Sequence, residues 1–331
     1  MRIPPELRCL PHSEPFALGG GFSDGDDVER ATALICASGC RVPVVRGIPR
    51  FVSSDNYAAA FGWQWTHFRR SQLDSHTGTT ISRDRLTRCL GGSLDVVRDR
   101  TVLEAGCGAG RFTEILLDAG ARVIAADLSA AVEANYANCG TSSGYFVCQA
   151  DIRSLPVNGH AFDIVICLGV VQHTPEPENT MAALARYVKP GGLLVLDHYS
   201  RDYPVTAPRK VLRDLLLRLP PEHARRLALG TTRALLPVHR VLWHRRRGFG
   251  RLRRYLGRVS PVVDYYEAYP ELGTELLSEW ALLDTHDTLT DRYKHLRGPE
   301  EIRHTLTSLG LANVEVAVGG NGVEARARGA G

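Results

Sequence analysis

A glycine-rich turn stands where an apolar strand hands over to a helix, in Val102-Leu103-Glu104-Ala105-Gly106-Cys107-Gly108-Ala109-Gly110. Nothing else in the 331 residues restricts the fold as tightly. Glycines let the backbone bend sharply and approach a ligand with no Cβ in the way. From this turn onward, strand-like and helix-like stretches alternate. Strands are expected at 101–105, 122–126, 144–148, 162–168 and 193–198, with helices at 111–119, 130–138 and 180–188. Such alternation makes a parallel sheet with helices on both faces. Right-handed crossovers then place a ligand crevice at the carboxyl ends of the strands. A helix at 299–309, with Pro299 in its first turn, leads into strands at 312–318 and 323–328. Gly319-Gly320-Asn321-Gly322 joins these two as a hairpin. The expected fold class is therefore α/β, a doubly wound, mostly parallel seven-stranded sheet.

Two nucleotide folds use a glycine turn of this kind. The dinucleotide fingerprint spaces its glycines G-x-G-x-x-G, which seats a pyrophosphate on the helix N-terminus. Here Arg111 occupies the position of the last glycine, and the spacing is Gly106, Gly108, Gly110. Glu104 precedes the turn, and a carboxylate there attracts a cation and repels a pyrophosphate. A second acid, Asp127, ends the next strand, where a carboxylate accepts hydrogen bonds from ribose hydroxyls. A third, Asp151, follows Val147-Cys148-Gln149-Ala150 and can meet an adenine amino group, with Ile152 against the ring. S-Adenosylmethionine, with its sulfonium and ammonium charges, suits this set better than a pyrophosphate does.

The run of pieces resembles the class I S-adenosylmethionine-dependent methyltransferases, a Rossmann-like family. The matching segments are Glu104-Ala105-Gly106-Cys107-Gly108-Ala109-Gly110, Ala126-Asp127-Leu128-Ser129 and Ala150-Asp151-Ile152-Arg153-Ser154-Leu155-Pro156. They continue with Phe162-Asp163-Ile164-Val165-Ile166-Cys167-Leu168-Gly169-Val170-Val171-Gln172-His173 and Val188-Lys189-Pro190-Gly191-Gly192. Each piece is weak alone, and the five in order are specific. The resemblance covers residues 94–197 and resumes in the last thirty-odd residues, which look like the family's antiparallel sheet end. It implies cofactor contacts at Glu104, Gly106, Cys107, Gly108, Gly110, Asp127, Leu128, Asp151, Ile152 and Leu168.

In a sulfonium methyl transfer the cofactor supplies the electrophile. The protein aligns the acceptor and, for an alcohol, removes its proton. His173 and His198 each follow or end a strand at the carboxyl edge of the sheet, and histidine titrates near neutrality. Both are candidate bases. Each position also suits packing against the cofactor.

The N-terminal segment poses a metal question. Cys9-Leu10-Pro11-His12 and Cys36-Ala37-Ser38-Gly39-Cys40 offer three thiols and an imidazole, a complete tetrahedral set for structural zinc. Short strands around 33–35 and 42–45 flank the second turn, and Gly19-Gly20-Gly21 with Ser23-Asp24-Gly25-Asp26-Asp27 reads as a loop. Residues 42–51 resemble the zinc-ribbon modules that precede some bacterial methyltransferases. His12 replaces the usual second cysteine of the first knuckle, so zinc and a degenerate, metal-free remnant both stay open. The other cysteines read as reduced thiols. Residues 56–92 have a helical pattern. Phe61-Gly62-Trp63-Gln64-Trp65 and Gln72-Leu73-Asp74-Ser75 look like a segment that forms a helical lid over the cofactor in such two-part enzymes. On that resemblance Gln64 and Trp65 are pocket residues.

Charge is unevenly distributed. The net is +4, yet residues 207–262 hold fifteen Arg and Lys against two acids, a local +13 that leaves −9 for the rest. Residues 240–258 carry eight arginines and no acid, interleaved with Leu242, Trp243, Phe249, Leu252, Tyr255 and Leu256. Such a stretch is a solvated lid face, a contact for a phosphorylated or membrane-linked glycan precursor, or an RNA contact. No run of about 18 apolar residues argues for a membrane span. The first ten residues lack the apolar core of a secretory signal, so a cytoplasmic location is the expectation.

The expected organisation is a zinc-ribbon-like segment at 1–53, a helical linker or lid at 54–93, the cofactor core at 94–199, a basic helical insertion at 200–297 and the sheet end at 298–331. The expected function is S-adenosylmethionine-dependent O-methylation of a small-molecule, sugar or glycan-precursor acceptor. Base methylation of ribosomal or transfer RNA, and a non-catalytic cofactor-binding subunit, are the alternatives. Peripheral membrane contact through the basic insertion is compatible with each.

Overall fold

Short apolar runs bounded by turn residues build two sheets, described here from a computed structural model. The structure describes residues 1–19, 27–53, 55–203 and 206–330, with the backbone alone for Arg246 and Arg247. Most of the expected glycine and aspartate loop, residues 20–26, lies outside the described residues. The first sheet is antiparallel and follows chain order: β1 (Phe16–Gly19), β2 (Ala33–Cys36), β3 (Arg41–Val45) and β4 (Ile48–Pro49). Three helices come next, α1 (Ala59–His67), α2 (Asp74–Thr77) and α3 (Ile81–Cys89). The continuous helical pattern expected over 56–92 is thus broken, with Gly78 in the left-handed region closing α2.

The second sheet begins with β5 (Thr101–Ala105), α4 (Thr113–Asp118), β6 (Arg122–Asp127), α5 (Ala131–Cys139) and β7 (Tyr145–Gln149). It continues with β8 (Phe162–Cys167), α6 (Pro177–Tyr187) and β9 (Val188–His198). Here α6 starts three residues before the expected helix, because Pro177 supplies a preset first turn. β9 likewise starts at Val188, five residues before the expected strand. Helices α7 (Ala207–Leu216), α8 (Pro221–His244), α9 (Arg246–Val259) and α10 (Gly273–Thr290) follow, then α11 (Pro299–Ser308), β10 (Ala312–Gly319) and β11 (Gly322–Arg328).

Seven strands line up in the order β10-β11-β9-β8-β5-β6-β7. Strands β5 to β9 run parallel, and β11 is antiparallel to both β9 and β10. Strand order reverses between β5 and β8, which opens the crevice at their carboxyl ends. Both faces are covered, so the middles of the strands are mostly apolar, with polar residues towards their ends. Leu103, Ile124, Phe146, Val165 and Leu194 pack one face, and Val102, Val123, Val147, Ile166 and Val195 the other. Each such side chain contributes about 1.5–3 kcal/mol on burial.

The chain divides into two compact units. One comprises Met1–Thr66, Thr80–Tyr203 and Tyr293–Gly331, and holds both sheets. The other comprises His67–Thr79 and Pro204–Arg292. The stretch expected as one linker over 54–93 is therefore shared between the units. In the helical unit α8 buries a stripe through Ala224, Ala228, Thr232, Leu236, His239 and Leu242. His239 bolts α8 to the segment after α9, with Nδ1 2.6 Å from an Asp264 carboxylate oxygen and Nε2 2.8 Å from Ser260 Oγ. Trp280 of α10 donates from Nε1 to the Ser71 carbonyl at 2.6 Å, and Arg213 pairs with the buried Asp291 at 2.6 Å.

Candidate cofactor site and metal cluster

The turn after β5 needs its glycines. Gly106, Gly108 and Gly110 take φ of +85°, +49° and +98°. A Cβ on Gly106 would lie 2.3 Å from Val170 Cγ2, and one on Gly110 would lie 3.0 Å from Cys139 Sγ. At Gly108 a Cβ would meet the Trp65 indole at 3.5 Å. Helix α1 thus lies over the turn. Gly62 makes the approach possible, since a Cβ there would stand 2.9 Å from the Ala130 nitrogen. Gln64, on the same helix, is buried.

Asp127 closes the turn from the tip of β6. Its Oδ2 accepts from the Gly108 N–H at 3.0 Å, and its Oδ1 accepts from Ser129 N and Oγ at 2.8 and 2.7 Å. Burial pushes its carboxyl up, while the Ser129 and Gly108 donors pull the other way. A carboxylate has about four acceptor sites, and these three donors leave one position, on Oδ2, for a further donor. Next to it, the Leu128 carbonyl accepts from Asn56 Nδ2 and Gln149 Nε2, both at 2.9 Å.

Glu104 corrects one expectation. It does not present a carboxylate to a cation. It is buried under the turn and accepts from Thr113 Oγ1 at 2.5 Å. Burial lifts it to about 8, against the pull of that hydrogen bond. Cys107, Ile152 and Leu168 are buried apolar positions, and burial pushes the Cys107 thiol up. Asp151 is held in a fork by Arg153, whose guanidinium reaches it at 2.6 and 3.0 Å.

His173 ends a short turn, Val171–His173, past β8. Its Nδ1 meets the Tyr293 carbonyl at 3.1 Å. The rings of Phe61 and Tyr199 stand edge-on at 5.2 and 5.3 Å, and Tyr203 stacks on Tyr199 at 4.2 Å. Tyr57 and Tyr293 extend the aromatic wall with centroids 5.4 Å apart, and burial pushes the Tyr57 phenol to about 12. His198 differs. It is fully buried, its Nδ1 donates to the Tyr199 carbonyl at 2.9 Å, and burial pulls it down to about 4.

Asp197, a sequence candidate beside His198, is a hub whose partners the sequence does not reveal. Fully buried at the end of β9, it pairs with Arg85, accepts from the Gly169 N–H at 2.5 Å and from Asn321 at 3.3 Å. Its partners are 112, 28 and 124 residues distant, and no local pattern links them.

The four N-terminal metal candidates converge. His12 Nδ1 lies 3.7 Å from Cys9 Sγ, 3.7 Å from Cys36 Sγ and 3.6 Å from Cys40 Sγ. All four ligand atoms fall within 4.8 Å of one another. Two tight turns present them: Ser13 N donates to the Cys9 carbonyl at 2.7 Å and Gly39 N to the Cys36 carbonyl at 2.9 Å. Gly39 takes φ +87°. A tetrahedral centre with Zn–N near ~2.0 Å and Zn–S near ~2.3 Å spaces nitrogen and sulfur by about 3.5 Å. The cluster fits that spacing, in a zinc-ribbon-like antiparallel sheet.

Sheet order and the glycine turn at the strand tips are those of a Rossmann-like fold. Residues 103–196 match the family model described as "Methyltransferase domain". Among curated relatives, the ubiquinone biosynthesis O-methyltransferase of Coxiella burnetii is 32% identical over 110 residues, 32% of this chain and 47% of that one. Its counterpart in Methylococcus capsulatus is 31% identical over 126 residues, 37% of this chain and 53% of that one. The chain thus spans about half the length of the curated relatives it matches. A solved structure, magnesium protoporphyrin IX methyltransferase from Synechocystis PCC 6803, aligns over 81% of this chain and 78% of its own, at 15% identity and a TM-score of 0.39.

Proposed function

We propose that this chain transfers a methyl group from S-adenosylmethionine to a hydroxyl of a small-molecule acceptor, with sugars and glycan precursors among the candidates. The observation that carries the reading is the turn of Gly106, Gly108 and Gly110 held against Asp127 and roofed by Trp65. Bound there, the cofactor would supply the electrophilic methyl group.

The chain's residues divide the remaining work. Asp127 takes a ribose hydroxyl at its open Oδ2 position, beside Leu128. Asp151 and Ile152 take the adenine, with Cys107 and Leu168 as apolar walls. Gln64 and Trp65 on α1 exclude water from the turn. Glu104 keeps α4 seated on β5 through Thr113.

His173 is the base in this reading. The Tyr293 carbonyl favours the Nδ1–H tautomer, which puts the lone pair on Nε2. The rings of Phe61, Tyr199 and Tyr203 offer flat apolar faces to a ring-shaped acceptor. Full burial and a depressed proton affinity give His198 a supporting role under the strand tips. The names of the matched relatives, ubiquinone biosynthesis O-methyltransferases, support oxygen as the atom methylated.

We also propose structural zinc on Cys9, His12, Cys36 and Cys40, supported by the near-tetrahedral spacing around His12. The test of the enzyme reading is transfer of a labelled methyl group from S-adenosylmethionine to a panel of phenols and sugars. His173→Ala should reduce kcat by about 10²-fold or more while cofactor affinity holds. Unchanged turnover in that variant removes His173 from the chemistry.

A further inference from the structure

The helical unit exposes what soluble proteins usually cover. None of the twelve residues of α9 with described side chains is buried, although the helix is strongly amphipathic. Leu252, Tyr255 and Val259 fall along one side at i, i+3 and i+7, and Phe249 adjoins them at a kink in the helix, each more than a third exposed. The helix carries six arginines and no acid. Arg251, Arg254 and Arg258, all exposed, flank that side at helical spacing.

The preceding helix repeats the arrangement. Opposite its buried stripe, α8 exposes Leu227, Val238 and Val241, with Ala234 on the same line. Arg226, Arg233 and Arg240 flank them, all exposed. Among the described residues, no helix is long and apolar enough to cross a membrane.

Glycine adds an independent argument. Gly248, Gly250 and Gly257 sit within α9, and a Cβ on any of them would meet nothing within 4 Å. No packing in the chain requires them, and each weakens the helix. Arg253 ties α9 to the chain, over the Trp243 ring at 4.5 Å and paired with Glu267 at 2.9 Å, while the glycines leave backbone open to approach from outside.

We infer that α9, with the outer stripe of α8, is a peripheral membrane-docking surface for a bilayer rich in anionic lipid. Phe249, Leu252, Tyr255 and Val259 enter the boundary between headgroups and acyl chains, while the arginines meet lipid phosphates. Charge complementarity selects the occupant: residues 207–262 carry +13. The aliphatic members favour lipid over nucleic acid. Leu252 and Val259 have no stacking face for a base, and each is apolar area that a bilayer covers. The inference goes beyond methyl transfer and is read without turnover.

The test is co-sedimentation of the full chain with large vesicles of phosphatidylcholine, with and without phosphatidylglycerol. Binding is expected only with phosphatidylglycerol, and it should weaken as salt rises. Exposed positions tolerate substitution, so the paired variant Phe249→Ser with Leu252→Ser should keep wild-type circular dichroism. It should bind at least about tenfold more weakly. Arg251→Gln with Arg254→Gln should lose several-fold in affinity and most of the salt dependence. The chain remaining in the supernatant with anionic vesicles overturns the inference. So does tight binding to structured RNA that the Phe249 and Leu252 pair leaves intact while vesicle binding is absent.

Discussion

The sheet unit and the helical unit solve opposite problems with the same residue. In the sheet unit glycine is a requirement. Gly106 bends under Val170 with φ +85°, in a place where a side chain cannot stand. In the helical unit it is a permission: Gly230 of α8 and Gly250 of α9 border open space with helical backbone. Burial divides the units in the same way. The sheet unit hides charged and polar groups, Glu104, Asp197 and His198 among them, and supplies hydrogen bonds to most of their atoms. The second unit leaves Leu227, Val241, Leu252 and Tyr255 in the open. One is a site built by enclosure, and the other a surface built by exposure.

The largest expected effect falls on the N-terminal cluster. Chelation or Cys36→Ser should release one zinc per chain and cost several kcal/mol of stability, seen as a lowered Tm. Metal analysis with no zinc in the natively purified protein would break this part of the account. Gly106→Ala comes next. Positive φ and the 2.3 Å clash with Val170 should cost about 3 kcal/mol or more, with loss of cofactor binding. The contrasting variant, Gly230→Ala, should raise stability by about 0.5–1 kcal/mol, because the new methyl meets nothing and helix propensity improves. Equal responses at the two glycines would erase the distinction between the units.

Enclosure also predicts a pH signature. Glu104 stands at about 8 in the folded chain against 4.5 when unfolded, so the native state holds its proton more tightly. Its contribution is complete below about pH 4.5 and is lost as pH rises toward about 8. The decline should reach a few kcal/mol in denaturant titrations, and Glu104→Gln should flatten it. A slope identical in the variant would place the titration elsewhere.

Much of this was legible in the chain itself, for physical reasons. Strands β5, β6 and β8 are buried on both faces, so each is a continuous apolar run that ends at a turn or an acid. The metal candidates lie in two short turns with Cys and His at knuckle spacing. What escaped depends on long-range contact. Glu104 reads as a free carboxylate until burial under the turn raises it, against the pull of the Thr113 hydrogen bond. Asp197 gains its role from Arg85 and Asn321, and the rings around His173 arrive from two distant segments, Phe61 on α1 and Tyr199 with Tyr203 past β9. Nor does anything local reveal that 67–79 belongs with the later helices, because its anchor is the Trp280 hydrogen bond to Ser71.

The central claim is that the glycine turn and Asp127 embrace S-adenosylmethionine. Isothermal titration of the purified chain with that compound tests it most directly. A single saturable site is expected, weakened at least about tenfold by Asp127→Ala in a variant whose circular dichroism is unchanged. No binding heat at any temperature, or equal affinity in the variant, contradicts it.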